Sequence, residues 1–281
     1  MRPNFDIVIP LSRESRRDDF ELRMALRSIA RHVDFPGPTV WVIAEELPRW
    51  CRNLRHIRHG DPYRANKDAN LIAKILRACR EPELAGKFLF WSDDQVVLRH
   101  FPPCGIPPVY NRRGPAAFRG SGRWHERMRH TFAFLAGRGI RLEWNWDSHV
   151  PQMFDKKLFP ELIAPLDYTA LPGFCVNTLY FGLRRFPAVL PQNLVKMTCE
   201  SDRPVSALDT RKLFLGYNDD ALYSGLAEVL EQTFPTPCRY EMEYESGPGG
   251  ESASVQTMAS SSTSKISAAQ GGIACPAPRS L

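Results

Sequence analysis

The chain of 281 residues is 43% hydrophobic and 24% charged, a balance that excludes a disordered or fibrous protein and allows one large domain. It has no run of eighteen apolar residues, so we expect no membrane-spanning helix, and the apolar run at 7–10 is too short for a signal-peptide core. We therefore expect a cytoplasmic protein. Seven cysteines, with no two at C-x-x-C spacing, favour reduced thiols over a disulfide framework or a zinc site.

The net charge of +6 is unevenly distributed along the chain. Residues 1–150 carry +9 and the remainder carries −3. Within 99–141 there are nine arginines and a single acidic residue, Glu126. A field of this sign attracts phosphate-bearing partners, and a polyanionic acceptor, a nucleotide or an anionic membrane surface would each fit it. A basic face that only contacts water fits the same composition.

The first hundred residues alternate between predicted strands and helices. Four continuous apolar or β-branched runs predict buried strands. They lie at 5–11, 39–44, 54–58 and 87–91. Apolar residues at helical spacing predict helices at 20–32 and 65–79. This order predicts an α/β, Rossmann-like fold with a mostly parallel sheet and helices on both faces.

After residue 98 the sequence becomes rich in proline, glycine and arginine, and the predicted elements are farther apart. They are a helix at 123–138, a short helix within 158–171, a strand at 176–181 and a helix at 219–234. From residue 245 the chain is mostly Ser, Gly, Ala and Pro, which predicts a disordered tail at 245–281. We therefore expect one domain at 1–244, with halves of about 1–98 and 99–244.

The strongest chemical signal is the segment FLFWSDDQVVL, in which Asp93 and Asp94 directly follow a predicted buried strand. In open α/β sheets, ligands bind at the carboxyl ends of the strands. Two adjacent carboxylates repel each other, and Mg²⁺ and Mn²⁺ prefer carboxylate, phosphate and water oxygens. The pair therefore predicts a divalent-cation site, although a plain turn that ends the strand fits the same letters.

The predicted helix NKDANLIAKIL has a polar face. Lys67, Asn70 and Lys74 share that face at i, i+3 and i+7, away from the apolar stripe of the same helix. Two lysines and an asparagine there could hold a base, a ribose or a phosphate. An ordinary solvated helix face is the alternative.

Two further segments carry carboxylates. In WNWDSHVPQ, Asp147 and His149 lie among aromatic residues, where a carboxylate can act as a general base and a neutral imidazole can bind metal. In FLGYNDDALYSGL, Asn218 or Asp219 fits the cap of the following helix, and Asp219 is also a candidate substrate-facing carboxylate.

Several segments, taken in order, are similar to a phage and bacterial group of GT-A-like glycosyltransferases that is distantly related to Stealth-type capsular polysaccharide phosphotransferases. The resemblance covers about 5–242. Its first half rests on DIVIPL, ELRMALRSI, VWVIAEELPRW, NLRHIRHGD, NKDANLIAKIL and FLFWSDDQVVL. Its second half rests on DSHVPQMFDKK, NTLYFGL and LGYNDDALYSGL followed by FPTPCRYE. One departure is Gln95 after the two aspartates, where the group's pattern has an aromatic or acidic residue, so that a strict D-x-D is absent.

The resemblance implies a nucleotide-sugar donor, Mn²⁺ or Mg²⁺, and transfer to a hydroxyl, in a bacterial or phage-infected host cell. The candidate donor-binding residues are Pro10, Ser12, Arg23, Arg27, Lys67, Asn70, Lys74 and Asp93. The resemblance assigns five of them to the donor side, namely Arg23, Arg27, Lys67, Asn70 and Lys74. Those it assigns to the metal are Asp93, Asp94 and His149. Asp147 and Asp219 are the candidate catalytic bases.

The acceptor stays open between modified bases in DNA and a cell-envelope glycan. Two other classes of function also stay open. One is a hexose-phosphate transferase in polysaccharide synthesis, and the other is a non-catalytic nucleic-acid-binding module that uses the basic 99–141 segment.

Overall fold

The computed structural model describes residues 5–12, 19–33, 37–102, 105–199 and 207–242. The strands are β1 (Asp6–Pro10), β2 (Val40–Ala44), β3 (Arg55–Arg58), β4 (Lys87–Phe90), β5 (Gln95–Val97), β6 (Val109–Tyr110), β7 (Gln152–Asp155), β8 (Leu190–Pro191), β9 (Lys196–Cys199) and β10 (Phe214–Tyr217). The α-helices are α1 (Phe20–His32), α2 (Lys67–Cys79), α3 (Arg123–Gly137), α4 (Leu158–Ile163), α5 (Val176–Leu183), α6 (Gln192–Val195), α7 (Asp219–Ala221) and α8 (Ala227–Thr233).

A five-stranded sheet with the order β3-β2-β1-β4-β7 forms the centre of the described structure. Its first four strands are parallel, and β7 runs antiparallel to β4. A three-stranded sheet, β5-β10-β9, and the short pair β6-β8 complete the sheets of the described residues. The predicted α/β class and mostly parallel central sheet are thereby confirmed.

Helices cover both faces of the central sheet, because β1 is apolar on both sides. Val8 packs into the core that α2 contributes to, with Ile72 and Ile75. Ile7 and Ile9, on the opposite face, pack into the core that holds one side of α1. The other side of α1 packs against β10 and α8. This helix therefore lies between the two larger sheets.

A buried carboxylate ties the first strands together. Asp6 is only 8% exposed. It accepts hydrogen bonds from the backbone N–H of Thr39 (3.1 Å) and Ala85 (2.9 Å) and from the Trp41 indole N–H (3.1 Å). These three hydrogen bonds offset the free energy that burying a carboxylate away from water costs. Asp6 thus fixes the entries to β2 and β4 relative to β1.

The prediction of a strand at 176–181 is wrong, because this segment belongs to helix α5. Every residue from Val176 to Gly182 is buried, so the segment has no polar face to reveal a helical period. A short, continuous apolar run fits a buried strand and a buried helix equally well. Neighbouring elements decide here, since Gly182 allows α5 to approach Leu135 of α3 closely.

The predicted helix at 219–234 is present but interrupted. A π-helical segment, Leu222–Leu226, separates α7 from α8, and Gly225 takes a positive φ of 94°. Asn218 caps the start, since its side-chain oxygen accepts the Ala221 N–H at 3.1 Å. The predicted tail at 245–281 lies outside the described residues. Within the described ranges, none of the helices has the length and apolarity needed to cross a membrane.

A buried ion-pair cluster joins α1 to the end of the described chain. Glu241 is 1% exposed and accepts from Arg27 through both oxygens (2.7 and 2.8 Å) and from Arg23 (3.0 Å). Arg23 also lies 4.2 Å from the centre of the Trp50 ring. Burial alone would raise the pKa of Glu241, but hydrogen bonds from Arg27 and the Cys238 N–H, with the charge of Arg27, lower it below the usual 4.5.

We predict that Glu241→Gln lowers the free energy of unfolding by about 1–3 kcal/mol at pH 7. Because the folded-state pKa of Glu241 is lowered, its contribution is complete above the unfolded value of about 4.5 and is lost as the pH falls through the folded value. The gap between wild type and variant in urea unfolding should therefore narrow as the pH falls below 4.5. Glu228→Gln, at an exposed position of α8, is the control and should change little. A gap that persists at low pH would contradict this assignment.

Candidate functional site

A cleft opens at the carboxyl ends of β1 and β4. In the order β3-β2-β1-β4 this is where the direction of strand addition reverses, the usual ligand position in open α/β sheets. One part of the cleft, the first chamber, has a volume of about 410 Å³. It is lined by Pro10, Ser12, Lys67, Asn70, Lys74, Asp93 and Asp94, all predicted from the sequence.

A second chamber of about 520 Å³ adjoins the first. The two share four wall residues: Asp68, Leu71, Phe90 and Ser92. The second chamber contains the predicted Asp147 and His149, together with residues from α3, α5, α6 and β9. The chambers therefore form one continuous cleft that runs from the central sheet to the second half of the chain.

The turn that carries the two aspartates is closed by Gln95. The Gln95 N–H donates to the Ser92 carbonyl (3.2 Å), and the Gln95 side-chain oxygen accepts the Ser92 N–H (3.1 Å). The Gln95 carbonyl accepts the Trp91 indole N–H at 2.8 Å. Gln95, where the sequence departs from the pattern of the group it resembles, thus holds Asp93 and Asp94 at the end of β4.

Asp94 lies against His149, with its Oδ2 atom 3.0 Å from the histidine Nε2 atom. Burial lowers the pKa of His149, but the charge of Asp94 outweighs this and the pKa is raised. Burial, and then the neighbouring Asp94, raise the pKa of Asp93. The two aspartates therefore differ: Asp94 contacts an imidazole, whereas Asp93 carries an anion that burial disfavours.

The Asp94–His149 contact fits two ligands of one divalent cation. Among the described residues, neither His149 Nε2 nor Asp94 Oδ1 has a partner with hydrogen-bond geometry, although both atoms are buried. Adjacent ligands of an octahedral ion, each about 2.0–2.1 Å from it, lie about 3 Å apart. The described residues contain no group of three or more His, Cys, Asp and Glu arranged to hold a metal. The expected trio with Asp93 is thus not brought together, and phosphate or water oxygens would have to complete the shell.

The His149 loop is held by buried hydrogen bonds. Gln152 of β7 donates to the Ser148 hydroxyl (2.9 Å) and the Val109 carbonyl (2.7 Å), and accepts the Val109 N–H (3.0 Å). Lys196 donates to the Ser148 carbonyl at 3.1 Å. His149 itself has a positive φ of 52°, a conformation that costs energy outside glycine and that this bracing maintains.

The predicted face of α2 forms a wall of the first chamber, but two of its residues are engaged within the protein. The Lys74 ammonium, on a side chain only 3% exposed, contacts Asp61 (2.6 Å) and the Leu11 carbonyl (2.7 Å). Asn70 donates to the backbone carbonyl of Tyr63 and accepts its N–H. These residues shape the chamber, while Lys67 and the unpredicted Arg64 present exposed cationic side chains to it.

Asp147 lies in the second chamber and is oriented by a hydrogen bond from the Trp124 indole N–H. The Asp147 backbone N–H donates to the Asn145 side chain at 2.9 Å. Burial, and the nearby Asp147 and Asp68 carboxylates, raise the pKa of Cys175 far above its usual value. This cysteine is therefore a neutral thiol and is no candidate nucleophile.

Arg23 and Arg27, predicted as donor-binding, do not line either chamber, because both guanidinium groups pair with Glu241. Asp219 begins α7, and its side chain lies outside the described part of the structure.

No protein-family model matches the chain, and no curated protein matches it.

The arginine-rich segment contributes to the second chamber in two ways. Arg127 donates to both carboxylate oxygens of Asp68 (2.9 and 2.8 Å), which joins α3 to the start of α2. Arg113 stacks on Phe118 (5.2 Å) and Trp124 (5.1 Å) at the chamber's edge. Six others are exposed, namely Arg112, Arg119, Arg123, Arg129, Arg138 and Arg141. The predicted basic surface is therefore present, although part of it is used within the fold.

Sequence reasoning missed residues that enter the cleft from the second half of the chain, among them Asn177, Gln192 and Lys196. They lie on a short helix, a four-residue helix and an edge strand, where no motif marks them. Asn177, a polar residue inside the predicted apolar run at 176–181, was the only one of the three with a signal in the sequence.

We predict that Gln152→Leu loosens the His149 loop and lowers the free energy of unfolding by about 2–5 kcal/mol, because it leaves the buried Val109 N–H and carbonyl without partners. Urea unfolding gives the stability, and hydrogen exchange of residues 146–150 reports the loop. Gln232→Leu, the same change at an exposed position of α8, is the matched control. Equal effects of the two variants would contradict the bracing role.

Proposed function

We propose that the protein is a metal-dependent glycosyltransferase with a GT-A-like fold, which moves a sugar from a nucleotide-sugar donor to a hydroxyl acceptor. The observation that carries the proposal is the contact between Asp94 and His149, set between two chambers at the switch point of a parallel sheet. The first chamber suits the nucleotide and the second chamber suits the sugar. The Asp94 carboxylate lies between them.

The first chamber suits a nucleotide diphosphate. Arg64 and Lys67 supply positive charge at its exposed side. Lys74, through Asp61 and the Leu11 carbonyl, holds the end of β1 in place. We assign Arg64 and Lys67 to the phosphates and Lys74 to the shape of the chamber.

Asp94 and His149 would hold Mn²⁺ or Mg²⁺ together with donor phosphates and water. When bound, such an ion stabilises the negative charge that develops on the leaving diphosphate. Asp93 adds local negative charge beside this pair. Because burial disfavours its ionised form, this charge contributes most when a cation is near.

Asp147 is the proposed general base for an inverting transfer. The acceptor hydroxyl would give its proton to Asp147 as its oxygen forms a bond to the anomeric carbon and the bond from that carbon to the diphosphate breaks. The Trp124 indole N–H holds the carboxylate in one orientation. A retaining transfer would not need this base.

Two other functions are to be tested against this one. A hexose-phosphate transferase would leave a phosphate between the two sugars of its product. A nucleic-acid-binding module would use the exposed arginines. Its affinity for nucleic acid would not depend on Asp94 and would fall as the salt concentration rises. The acceptor of the proposed reaction is a modified base in DNA or a cell-envelope glycan.

We predict that the wild type releases nucleotide from at least one donor in a panel of UDP-, GDP- and ADP-sugars with Mn²⁺, and that Asp94→Ala and EDTA abolish this. Mn²⁺ binding, followed by electron paramagnetic resonance in the presence of the nucleotide, should weaken in Asp94→Ala and in His149→Ala. Asp167→Ala, at an exposed aspartate that lines neither chamber, should behave as wild type.

Release that persists in Asp94→Ala would remove this metal site. A lack of release, nucleotide binding and Mn²⁺ binding in the wild type would overturn the enzyme proposal and favour the nucleic-acid-binding module.

We predict that Asp147→Asn lowers kcat about 100- to 10,000-fold while the affinity for the donor nucleotide stays within about twofold, because the variant keeps the shape of the chamber and loses only the base. Single-turnover kinetics and nucleotide titration measure the two quantities. Asp167→Asn is the control. A kcat close to that of the wild type would contradict the role of Asp147.

A further inference from the structure

We propose that the second chamber binds a neutral sugar through its hydroxyl groups, rather than a phosphate-bearing backbone. This inference rests on the proposed function and specifies its substrate class. Three side chains of the chamber carry it: Asn177, Gln192 and Arg127.

Each of these side chains has a buried polar atom without a hydrogen-bond partner among the described residues. The atoms are Asn177 Oδ1, Gln192 Oε1 and Arg127 Nε. Asn177 is only 5% exposed, so its amide is effectively removed from bulk water. Buried polar groups in folded proteins are normally satisfied, and an exception calls for a partner such as a ligand or an ordered water.

The chemistry of the three atoms restricts that partner. The two amide oxygens accept hydrogen bonds and need donors, whereas Arg127 Nε donates and needs an acceptor. A hydroxyl group is both donor and acceptor. A phosphodiester has only acceptor oxygens and would leave Asn177 and Gln192 unsatisfied. A sugar ring, with several hydroxyls, meets all three requirements, replacing the waters that can do so in the free protein.

The charges of the chamber agree with a neutral ligand. Asp68 and Arg127 are paired at 2.8 Å, and the Lys196 ammonium donates to the Ser148 carbonyl at 3.1 Å. The wall also holds Arg113 and Asp147, so its two carboxylates and three cations leave little net charge. The Trp124 indole, also part of the wall, offers an apolar surface of the kind on which a sugar face packs.

Gln192 provides the test, because it is only partly buried and its replacement should not prevent folding. Gln192→Met keeps the length of the side chain and removes its hydrogen bonds, whereas Gln192→Glu keeps an acceptor oxygen. The control is Asn193→Ala, at the next residue of α6, which is exposed and does not line the chamber. Thermal melts establish that all variants fold.

The probes are methyl glycosides of glucose, galactose, mannose, rhamnose and N-acetylglucosamine, followed by saturation-transfer NMR. We expect at least one to bind the wild type, and Gln192→Met to weaken it about three- to tenfold, the effect of one neutral hydrogen bond. Gln192→Glu and Asn193→Ala should bind like wild type. The affinity for the nucleoside diphosphate alone should not change in any variant.

The source of the sugar follows from a second titration, with the intact nucleotide-sugar. If Gln192→Met binds the nucleotide-sugar more weakly than the wild type does, the chamber is assigned to the transferred sugar. If the affinity for the nucleotide-sugar is unchanged, the chamber is assigned to the acceptor. Glycoside binding without turnover from any donor would leave this inference standing and remove the proposed function. Absence of glycoside binding, or equal binding by Gln192→Met and wild type, would overturn the inference. So would a Gln192→Met variant that loses affinity for duplex DNA instead.

Discussion

The candidate site depends on one contact, in which Asp94 and His149, 55 residues apart in the chain, are held 3.0 Å from each other. Each partner is fixed by its own support. Gln95 closes the turn that carries Asp94, and Gln152 braces the loop that carries His149. Gln95 follows the end of β4, and Gln152 is the first residue of its antiparallel neighbour β7. The pairing of these two strands therefore sets the distance between the Asp94 carboxylate and the His149 imidazole. The proposed cation site would therefore be pre-organised, since neither proposed ligand would have to move far to meet an ion.

Much of the charge near the cleft serves the architecture. Lys74 is committed to Asp61 and the Leu11 carbonyl, and Arg127 to Asp68. Each pair joins segments that are distant in sequence, and a buried charge without its partner would be costly. Some of the residues that look like phosphate ligands in the sequence are therefore engaged in contacts within the protein, and fewer of them can contact a substrate. Arg64, on an exposed position of the first chamber, is better placed for that role.

The first half of the fold could be predicted from the sequence because its signals are local. The run before Ser92 and the apolar stripe of α2 each define an element without reference to the rest of the chain. The end of β4 then places Asp93 and Asp94 at the ligand-binding edge by a general rule of parallel sheets. The second half carries weaker signals. Its strands are two to four residues long and pair across large separations, as Phe214 does with Val97, and the buried α5 has no polar face. The pairing of Arg27 with Glu241, 214 residues away, left no trace that sequence reasoning could detect.

This difference between the halves bears on how such a site acquires specificity. The first chamber is built on the ends of buried parallel strands and on α2, where a substitution disturbs the core as well as the ligand. The second chamber takes its polar groups from loops and short helices, such as Gln192 at the start of α6. Residues on such segments can change with little effect on the core, so binding preferences vary there more freely. In the proposed reaction the nucleotide side would thus be constrained by the fold, whereas the choice of sugar would depend on a few side chains around Asp147 and Asn177.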